Sequence, residues 1–289
     1  MRQQKAVTAS ILKDMNRAAQ KRSASAAEKA ASQLAIGAFF FAMRSCEYVH
    51  VTGSRRTKPL RLRNIRFFKR NRVMSLHDHG LTTATAVSIT FEHQKTDVRH
   101  ETVHQHATFL DVLCPVRTWA LIVQRILSYP GCDEESLVST VVSGNKRQLV
   151  TAPYLASTLQ AAAKRIGEDV LGFSHTDVGT HSIRSGAAMA MYLAGVPVFT
   201  IMLIGRWSSD AFLRYIRRQV LQFSAGVSKR MVGLAAQDFF TVPDVDVEHP
   251  RTRAHRANFH SPQQYSARQR AATPDHVLEN LLPRFELMT

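Results

Sequence analysis

The stretch THSIRSGAAMAMYLAGVPVFTIMLIGRWSSDAFLRYIRR, from Thr180 to Arg218, is the part of this sequence from which the fold and the chemistry are best inferred. It sets His181 and Arg184 three residues apart, and Tyr215 follows about thirty residues later. Side chains three apart on a helix share a face, so the imidazole and the guanidinium would project together. Fixed cations suit a phosphodiester under attack, and a tyrosine can attack it to form a covalent ester. The stretch therefore predicts a site for phosphodiester chemistry.

Two upstream segments add charged groups to this candidate site. In FFFAMRSCEY, residues 39–48, Arg44 follows a long apolar run and Glu47 comes three residues later. A guanidinium after such a run needs a partner if it is buried, and Glu47 can supply one. In SITFEHQKTDVRHETV, residues 88–103, two β-prone runs flank a polar centre that contains Lys95. The second segment predicts a hairpin that carries a lysine.

On these motifs, in this order, the chain resembles the catalytic domain of the tyrosine recombinase (phage integrase) family. It is most similar to the eukaryotic transposon (Crypton- or DIRS-like) members, over roughly residues 6–236. The resemblance implies a mainly α fold with a small antiparallel β-sheet. It also implies the following roles: Tyr215 as nucleophile, Arg44 and Arg184 as charge-neutralising groups, His181 as the group that manages the tyrosine proton, Lys95 as the acid that protonates the leaving 5′ oxygen, and Glu47 as an orienting residue.

The family has one further site position, a His or Trp nine residues before the nucleophile. Here Arg206 has that spacing, and Trp207 lies one residue too late. The spacing favours Arg206 and the residue type favours Trp207. Because an indole N–H can donate to a phosphate oxygen, we predict that Trp207 fills the position and that Arg206 is a supporting residue.

The composition predicts a polyanionic partner. The formal net charge is +16, from 38 basic and 22 acidic residues, which is typical of proteins that bind nucleic acid. The segment from Ser54 to Arg72 holds nine Lys/Arg and no acid, which favours phosphate contacts, or an import signal that overlaps them, over a merely solvated surface. Double-stranded DNA is the expected partner, and the candidate DNA-binding residues are Arg55, Arg56, Arg61, Arg63 and Arg66.

Neither a metal nor an organic cofactor is expected. The three cysteines, Cys46, Cys114 and Cys132, lack metal-ligand spacing, and the histidine pair at i,i+4, His100 and His104, falls in a β-prone run. No Walker-type glycine loop is present. The longest apolar run is too short to span a bilayer, and no secretory leader opens the chain. The expected location is the nucleus in a eukaryote, or otherwise the cytoplasm in association with DNA.

Residues 1–237 are expected to form the catalytic domain. Periodicity and capping signals predict helices over residues 11–19, 26–49, 116–128, 154–166, 181–194 and 210–223, and strands over 65–68, 86–91 and 101–105. Residues 238–289 are expected to be a disordered tail with one possible short helix at 274–282. The family's N-terminal core-binding domain is absent from this prediction, so a separate protein could supply it, and a homo-oligomer on DNA is expected.

The predicted function is site-specific DNA strand cleavage and rejoining, of the recombinase or integrase type, through a 3′-phosphotyrosine. Two alternatives stay open at this stage. One is a non-catalytic DNA-binding remnant, or a domesticated protein of mobile-element origin that keeps the fold. The other is a relaxing enzyme similar to type IB topoisomerases, which share this constellation of residues but rejoin the same strand. Whether this chain is active alone stays open at this stage, because the family generally holds DNA with the core-binding domain as well.

Overall fold

The computed structural model describes residues 4–53, 57–70, 72–93, 99–108, 110, 112–144 and 146–207. The helices in these residues are α1 (Ala9–Ala19), α2 (Ala26–Phe40), α3 (Ser45–Tyr48), α4 (Pro115–Leu127), α5 (Ala152–Ile166), α6 (Glu168–Leu171), α7 (His181–Leu193) and α8 (Val198–Gly205). The strands are β1 (Ile65–Lys69), β2 (Arg72–Met74), β3 (Ala86–His93), β4 (Arg99–His106), β5 (Thr140–Ser143) and β6 (Lys146–Leu149).

In the described residues, two antiparallel sheets accompany the helices. The larger has the strand order β2-β1-β3-β4, so β2 lies at one edge and β4 at the other. The smaller is the β5–β6 hairpin. The expected fold class, mainly α with a small antiparallel sheet, is confirmed, as are the helices predicted at α1, α4, α5 and α7 and the three predicted strands at β1, β3 and β4. The predicted domain boundary after residue 237, the helix at 210–223 and the tail lie outside the described residues.

The prediction of one helix from residue 26 to residue 49 is wrong. A capping box at Ser25 and Glu28 starts α2, as the sequence signature favours, but the helix ends at Phe40. Ala42 then has a φ of 44°, in the left-handed region, and Arg44 is extended before the short helix α3 begins. This break turns Arg44 out of the apolar helix and leaves the carbonyls of Phe41 and Ala42 for other partners.

Helix α2 lies at the centre of the core, where α1, α4, α5 and α7 all pack against it. Trp119 of α4 is fully buried and crosses Phe41 edge to face, with 6.2 Å between the ring centroids. A Cβ at Gly37 would lie 3.0 Å from the Trp119 ring, so the glycine lets α2 and α4 approach closely. The close packing fixes the end of α2, which carries the break described above.

The N-terminal segment holds the start of α7 in place. The backbone N–H groups of Lys5 and Val7 donate to the carbonyls of Asp177 and Ser182, at 2.8 and 2.9 Å. Gly186, one turn into α7, faces the Val7 carbonyl so closely that a Cβ would lie only 2.2 Å from that oxygen. The position of His181 and Arg184 therefore depends on contact between α7 and the segment before α1.

Gly186→Ala tests this contact. The added methyl group clashes with backbone that is itself hydrogen-bonded, so we expect the free energy of unfolding to fall by about 1–3 kcal/mol, as for other overpacking substitutions. Denaturant unfolding followed by circular dichroism measures the loss. Ala190→Ser, at an exposed position of the same helix, is the control and should change stability by less than about 0.5 kcal/mol. Equal stability of the two variants would contradict the close approach.

Candidate active site

Glu47 is the centre of a buried network of charges. Its side chain is fully buried, and its carboxylate accepts the backbone N–H of Arg44 at 2.8 Å. The Arg44 guanidinium reaches the same carboxylate at 3.2 Å, with a fifth of the Arg44 side chain left exposed. These contacts are the ones that an orienting role of Glu47 would require, and the role itself stays a prediction. The same contacts hold the Arg44 guanidinium at the surface, where it can meet an anion.

Arg206 is the second cation on Glu47. Its Nη2 lies 2.7 Å from Glu47 Oε2, both side chains are buried, and its Nη1 donates to the Phe41 carbonyl at 3.0 Å. The guanidinium carbon stands 3.6 Å from the centroid of the Phe91 ring, which is cation–π geometry. Burial lowers the pKa of the Arg206 guanidinium, and the Glu47 carboxylate acts in the opposite direction. Arg206 is therefore held in a buried ion pair, and the supporting role predicted for it stays a prediction.

Arg184 and Trp207 form a stacked pair beside this network. The Arg184 guanidinium carbon is 4.3 Å from the centroid of the Trp207 ring. Its two terminal nitrogens donate to the carbonyls of Ala42 and Gly205, and the residue is only 2% exposed. A Cβ at Gly205 would overlap the Trp207 ring, so only glycine admits the indole there. Trp207 thus stacks against Arg184, which in turn donates to a carbonyl just beyond the end of α2.

The end of α2 explains why two arginines gather at one place. The last turn of α2 holds no basic side chain, although the C-terminal carbonyls of a helix attract cations. Arg206, directly after α8, and Arg184 of α7 supply such donors to the carbonyls of Phe41 and Ala42. The sequence pattern alone missed this role because the partners are 165 and 142 residues apart.

His181 stands at the first position of α7, on the exposed side of the cluster. Its backbone N–H donates to the Gln4 side chain at 3.1 Å. The pKa of the imidazole is lowered from its usual value, first by desolvation of its packed side and then by the positive charges of Arg184 and Arg44. The structure thus brings His181, Arg184 and Arg44 near one another, and the shift favours a neutral imidazole at pH 7.

Two of the predicted catalytic residues, Lys95 and Tyr215, lie outside the described residues, as do Arg55 and Arg56. Of the tyrosines that the structure describes, Tyr48 follows Glu47 directly but is buried, and burial raises its pKa far above the usual value. Tyr192 packs in an apolar cluster with Trp207. The buried Tyr48 lacks the exposed hydroxyl that a nucleophile requires, and Tyr215 stays the predicted nucleophile.

The basic run that the sequence singles out divides into two parts. Arg63 donates to Glu135 at 2.6 Å and to Glu92 at 3.0 Å, and Arg61 lies 3.9 Å from Glu135. These partners come from other segments, so the absence of acids within the run does not leave Arg61 and Arg63 unpaired. Arg66 projects from an exposed position of β1. The predicted DNA contacts of these three arginines stay predictions.

Within the described ranges, no group of three or more His, Cys, Asp or Glu side chains is placed to hold a metal ion. In the same ranges, no helix combines the length and the apolar character that crossing a membrane requires.

Comparisons with known proteins find similar solved structures, among them two complexes of one recombinase. No family model matches the chain, and no curated protein matches it. The chain is similar to the XerH site-specific recombinase bound to palindromic difH substrate in a post-cleavage complex, with 16% identity, coverage of 78% of this chain and 53% of that one, and a TM-score of 0.47. It is also similar to XerH bound to difH substrate in a pre-cleavage complex, with 14% identity, coverage of 78% and 55%, and a TM-score of 0.48. The chain thus spans about half the length of each.

Proposed function

We propose that this chain is the catalytic part of an enzyme that cleaves and rejoins DNA strands through a 3′-phosphotyrosine, as site-specific tyrosine recombinases do. The observation that carries the proposal is the gathering of three groups: Arg44, which pairs with the buried carboxylate of Glu47, Arg184, which donates to the carbonyl of Ala42 two residues before Arg44, and His181, one helical turn from Arg184. Desolvation, and after it the positive charges of Arg184 and Arg44, lower the pKa of the His181 imidazole. One carboxylate faces several cations here, which leaves a net positive site suited to a phosphodiester.

The chemistry would run in two steps, cleavage and rejoining. The Tyr215 oxygen attacks the scissile phosphorus and forms a new O–P bond, while the bond from phosphorus to the 5′ oxygen breaks. The neutral imidazole of His181 can take the phenol proton, and Lys95 would give a proton to the departing 5′ oxygen. In the second step a 5′ hydroxyl attacks the phosphotyrosine and releases the tyrosine. The ester keeps the energy of the broken bond, so the exchange consumes no nucleotide.

Arg44 would be the cation that first meets the DNA. Its side chain is partly exposed, and its pairing with Glu47 sets the direction of the guanidinium. Removing a donor of this kind typically costs 10²–10³ in rate at other enzyme sites where charge develops. Homo-oligomerisation on DNA and a separate core-binding domain belong to the same proposal, because strand exchange needs a second strand end held near the first.

The second candidate function is a DNA-binding protein that does not cut. Arg184 favours it, because this residue is 2% exposed and its guanidinium donates to two backbone carbonyls. A guanidinium held in that way contributes to the stability of the fold whether or not it also touches a phosphate. The two candidates share DNA binding and differ only in the covalent step.

DNA binding itself predicts a steep dependence on salt. With about six phosphate contacts, affinity for duplex DNA should fall roughly 10³-fold between 50 and 200 mM salt, because bound cations release condensed counterions. Fluorescence anisotropy with a labelled duplex over this range gives the slope. An affinity that does not change with salt would contradict both candidate functions.

The covalent step is tested with a nicked duplex from which the cleaved fragment diffuses away, so that the phosphotyrosine accumulates. A core-binding domain is supplied in a parallel reaction. A covalent protein–DNA adduct that resists denaturing electrophoresis supports the enzyme, and its absence in both reactions supports the non-catalytic binder.

A further inference from the structure

The hairpin of β1 and β2 carries a group of cations that the candidate site does not use. A concavity of about 620 Å³ opens beside it, lined by Lys69, Arg70 and Arg72 of the hairpin and by Asp78, Gly80 and Thr83 of the turns that follow. We refer to it as the hairpin concavity. The strand β2 forms the edge of the larger sheet, so the concavity lies at a sheet edge.

Two of these cations face each other across the strands. In the register of β1 and β2, Lys69 pairs directly with Arg72, and we call them the facing pair. Side chains that oppose each other in an antiparallel ladder are about 4.5–5.5 Å apart at Cβ, and like charges there are destabilising. The cost would be relieved by a bound anion that both groups contact.

The turn of the hairpin adds a third cation at a further local cost. Arg70 has a φ of 49°, in the left-handed region that a two-residue hairpin turn requires. Glycine or asparagine adopts this region readily, whereas other residues pay roughly 1–2 kcal/mol. The hairpin therefore presents three neighbouring cations in a geometry that does not favour its own stability.

The hairpin cations have no acidic partner among the described residues, in contrast to Arg61 and Arg63 of the same run. The one carboxylate that lines the concavity, Asp78, already accepts the N–H of Gly80 at 2.6 Å. The Lys69 ammonium donates to the Thr83 hydroxyl at 2.9 Å, and that hydroxyl donates to the Gly80 carbonyl at 2.8 Å. Lys69 is thus held at the rim before any ligand arrives.

We infer that the hairpin concavity binds the phosphodiester backbone of duplex DNA, with the facing pair on a phosphate and Arg70 beside them. This inference rests on the proposed DNA-binding function. It places phosphate contacts in the part of the basic run whose cations have no acidic partner among the described residues. Duplex DNA fits better than a free anion because the three cations gather at the turn end of the hairpin beside a concavity of about 620 Å³, which is much larger than a single phosphate and can admit part of a backbone.

The test compares two double variants that each remove two positive charges. Lys69→Gln/Arg72→Gln should lower duplex affinity at least about tenfold at 100 mM salt and reduce the salt slope by roughly 1.8, at about 0.9 per lost contact. Lys13→Gln/Lys21→Gln, at two exposed positions in α1 and just after it, outside the basic run, should change the slope far less. Thermal unfolding of the first variant should be unchanged or higher, because the repulsion between facing cations is gone.

Three outcomes would overturn this inference alone, and they are distinguishable. Equal losses of slope in both variants would mean that net charge alone matters, and an unchanged slope in the facing-pair variant would place the contacts elsewhere. If inorganic phosphate at low millimolar concentration displaced the duplex from wild type but not from the facing-pair variant, the site would be one for a free anion. A wild type whose duplex binding shows no salt dependence would instead remove the proposed function, and this inference with it.

Discussion

Replacing Arg206 by methionine is expected to lower the free energy of unfolding by about 3–5 kcal/mol, the cost of breaking a buried ion pair by removing one partner. The Glu47 carboxylate would keep its desolvation and lose the guanidinium that lies 2.7 Å away. The Phe41 carbonyl and the Phe91 ring would lose their cation as well. Urea denaturation followed by tryptophan fluorescence and circular dichroism measures the loss.

The matched control is Arg165→Met. Arg165 also forms an ion pair at 2.7 Å, with Asp14, but its side chain is 44% exposed. Exposed pairs contribute about 0–1 kcal/mol, so the same chemical change should cost far less there. A second check is the double variant Glu47→Gln/Arg206→Met, whose loss should be well below the sum of the two single losses, since the residues are in contact. Similar losses for Arg206→Met and Arg165→Met would mean that the buried network does not stabilise the fold.

The helices and strands that could be predicted from the sequence are those marked by local signals, such as capping residues, a proline at a helix start or alternation of apolar and polar residues. Pro115 opens α4, Ser25 and Glu28 open α2, and Gly195 follows α7 with a φ of 73°. Alternation of apolar and polar residues marks β3. These signals depend on neighbours in sequence, so they can be recognised without knowledge of the tertiary structure.

The end of α2 could not be predicted in this way. The segment from Phe39 to Met43 contains neither glycine nor proline, and its composition is compatible with a continuous helix. The helix ends where Ala42 takes a left-handed φ and the Met43 N–H donates back to the Ala38 carbonyl. Arg184 and Arg206, far along the chain, then donate to the carbonyls of Ala42 and Phe41 that follow. The β5–β6 hairpin was missed for a related reason, since β6 is the polar sequence KRQL and is largely exposed.

The candidate site likewise has features that depend on neighbours in sequence and features that depend on residues far along the chain. The spacing within HSIR is local, and the structure does place His181 and Arg184 at the start of one helix. The choice between Arg206 and Trp207 is not local, because it depends on which side chain reaches Glu47 and which one covers Arg184. Arg206 has a φ of 56°, which turns the chain after α8 and sends the two side chains to different partners. Trp207 was predicted as a phosphate donor, and that prediction is untested by these contacts.

Tyr215→Phe is expected to abolish covalent trapping on the nicked duplex while leaving DNA binding and thermal stability close to those of wild type. The substitution keeps the ring and removes the only atom that can form the phosphate ester. Arg184→Ala is a contrasting variant: it should also abolish trapping, but it should destabilise the fold because the carbonyls of Ala42 and Gly205 lose their donors. The two variants together separate loss of chemistry from loss of structure.

The most direct measurement of the central claim is the yield of covalent adduct from wild type and Tyr215→Phe under the same conditions, with and without an added core-binding domain. The account predicts an adduct for wild type, none for Tyr215→Phe, and a peptide after proteolysis in which the DNA is attached to Tyr215. A wild type that binds duplex DNA but never forms the adduct, or an adduct that persists in Tyr215→Phe, would contradict it.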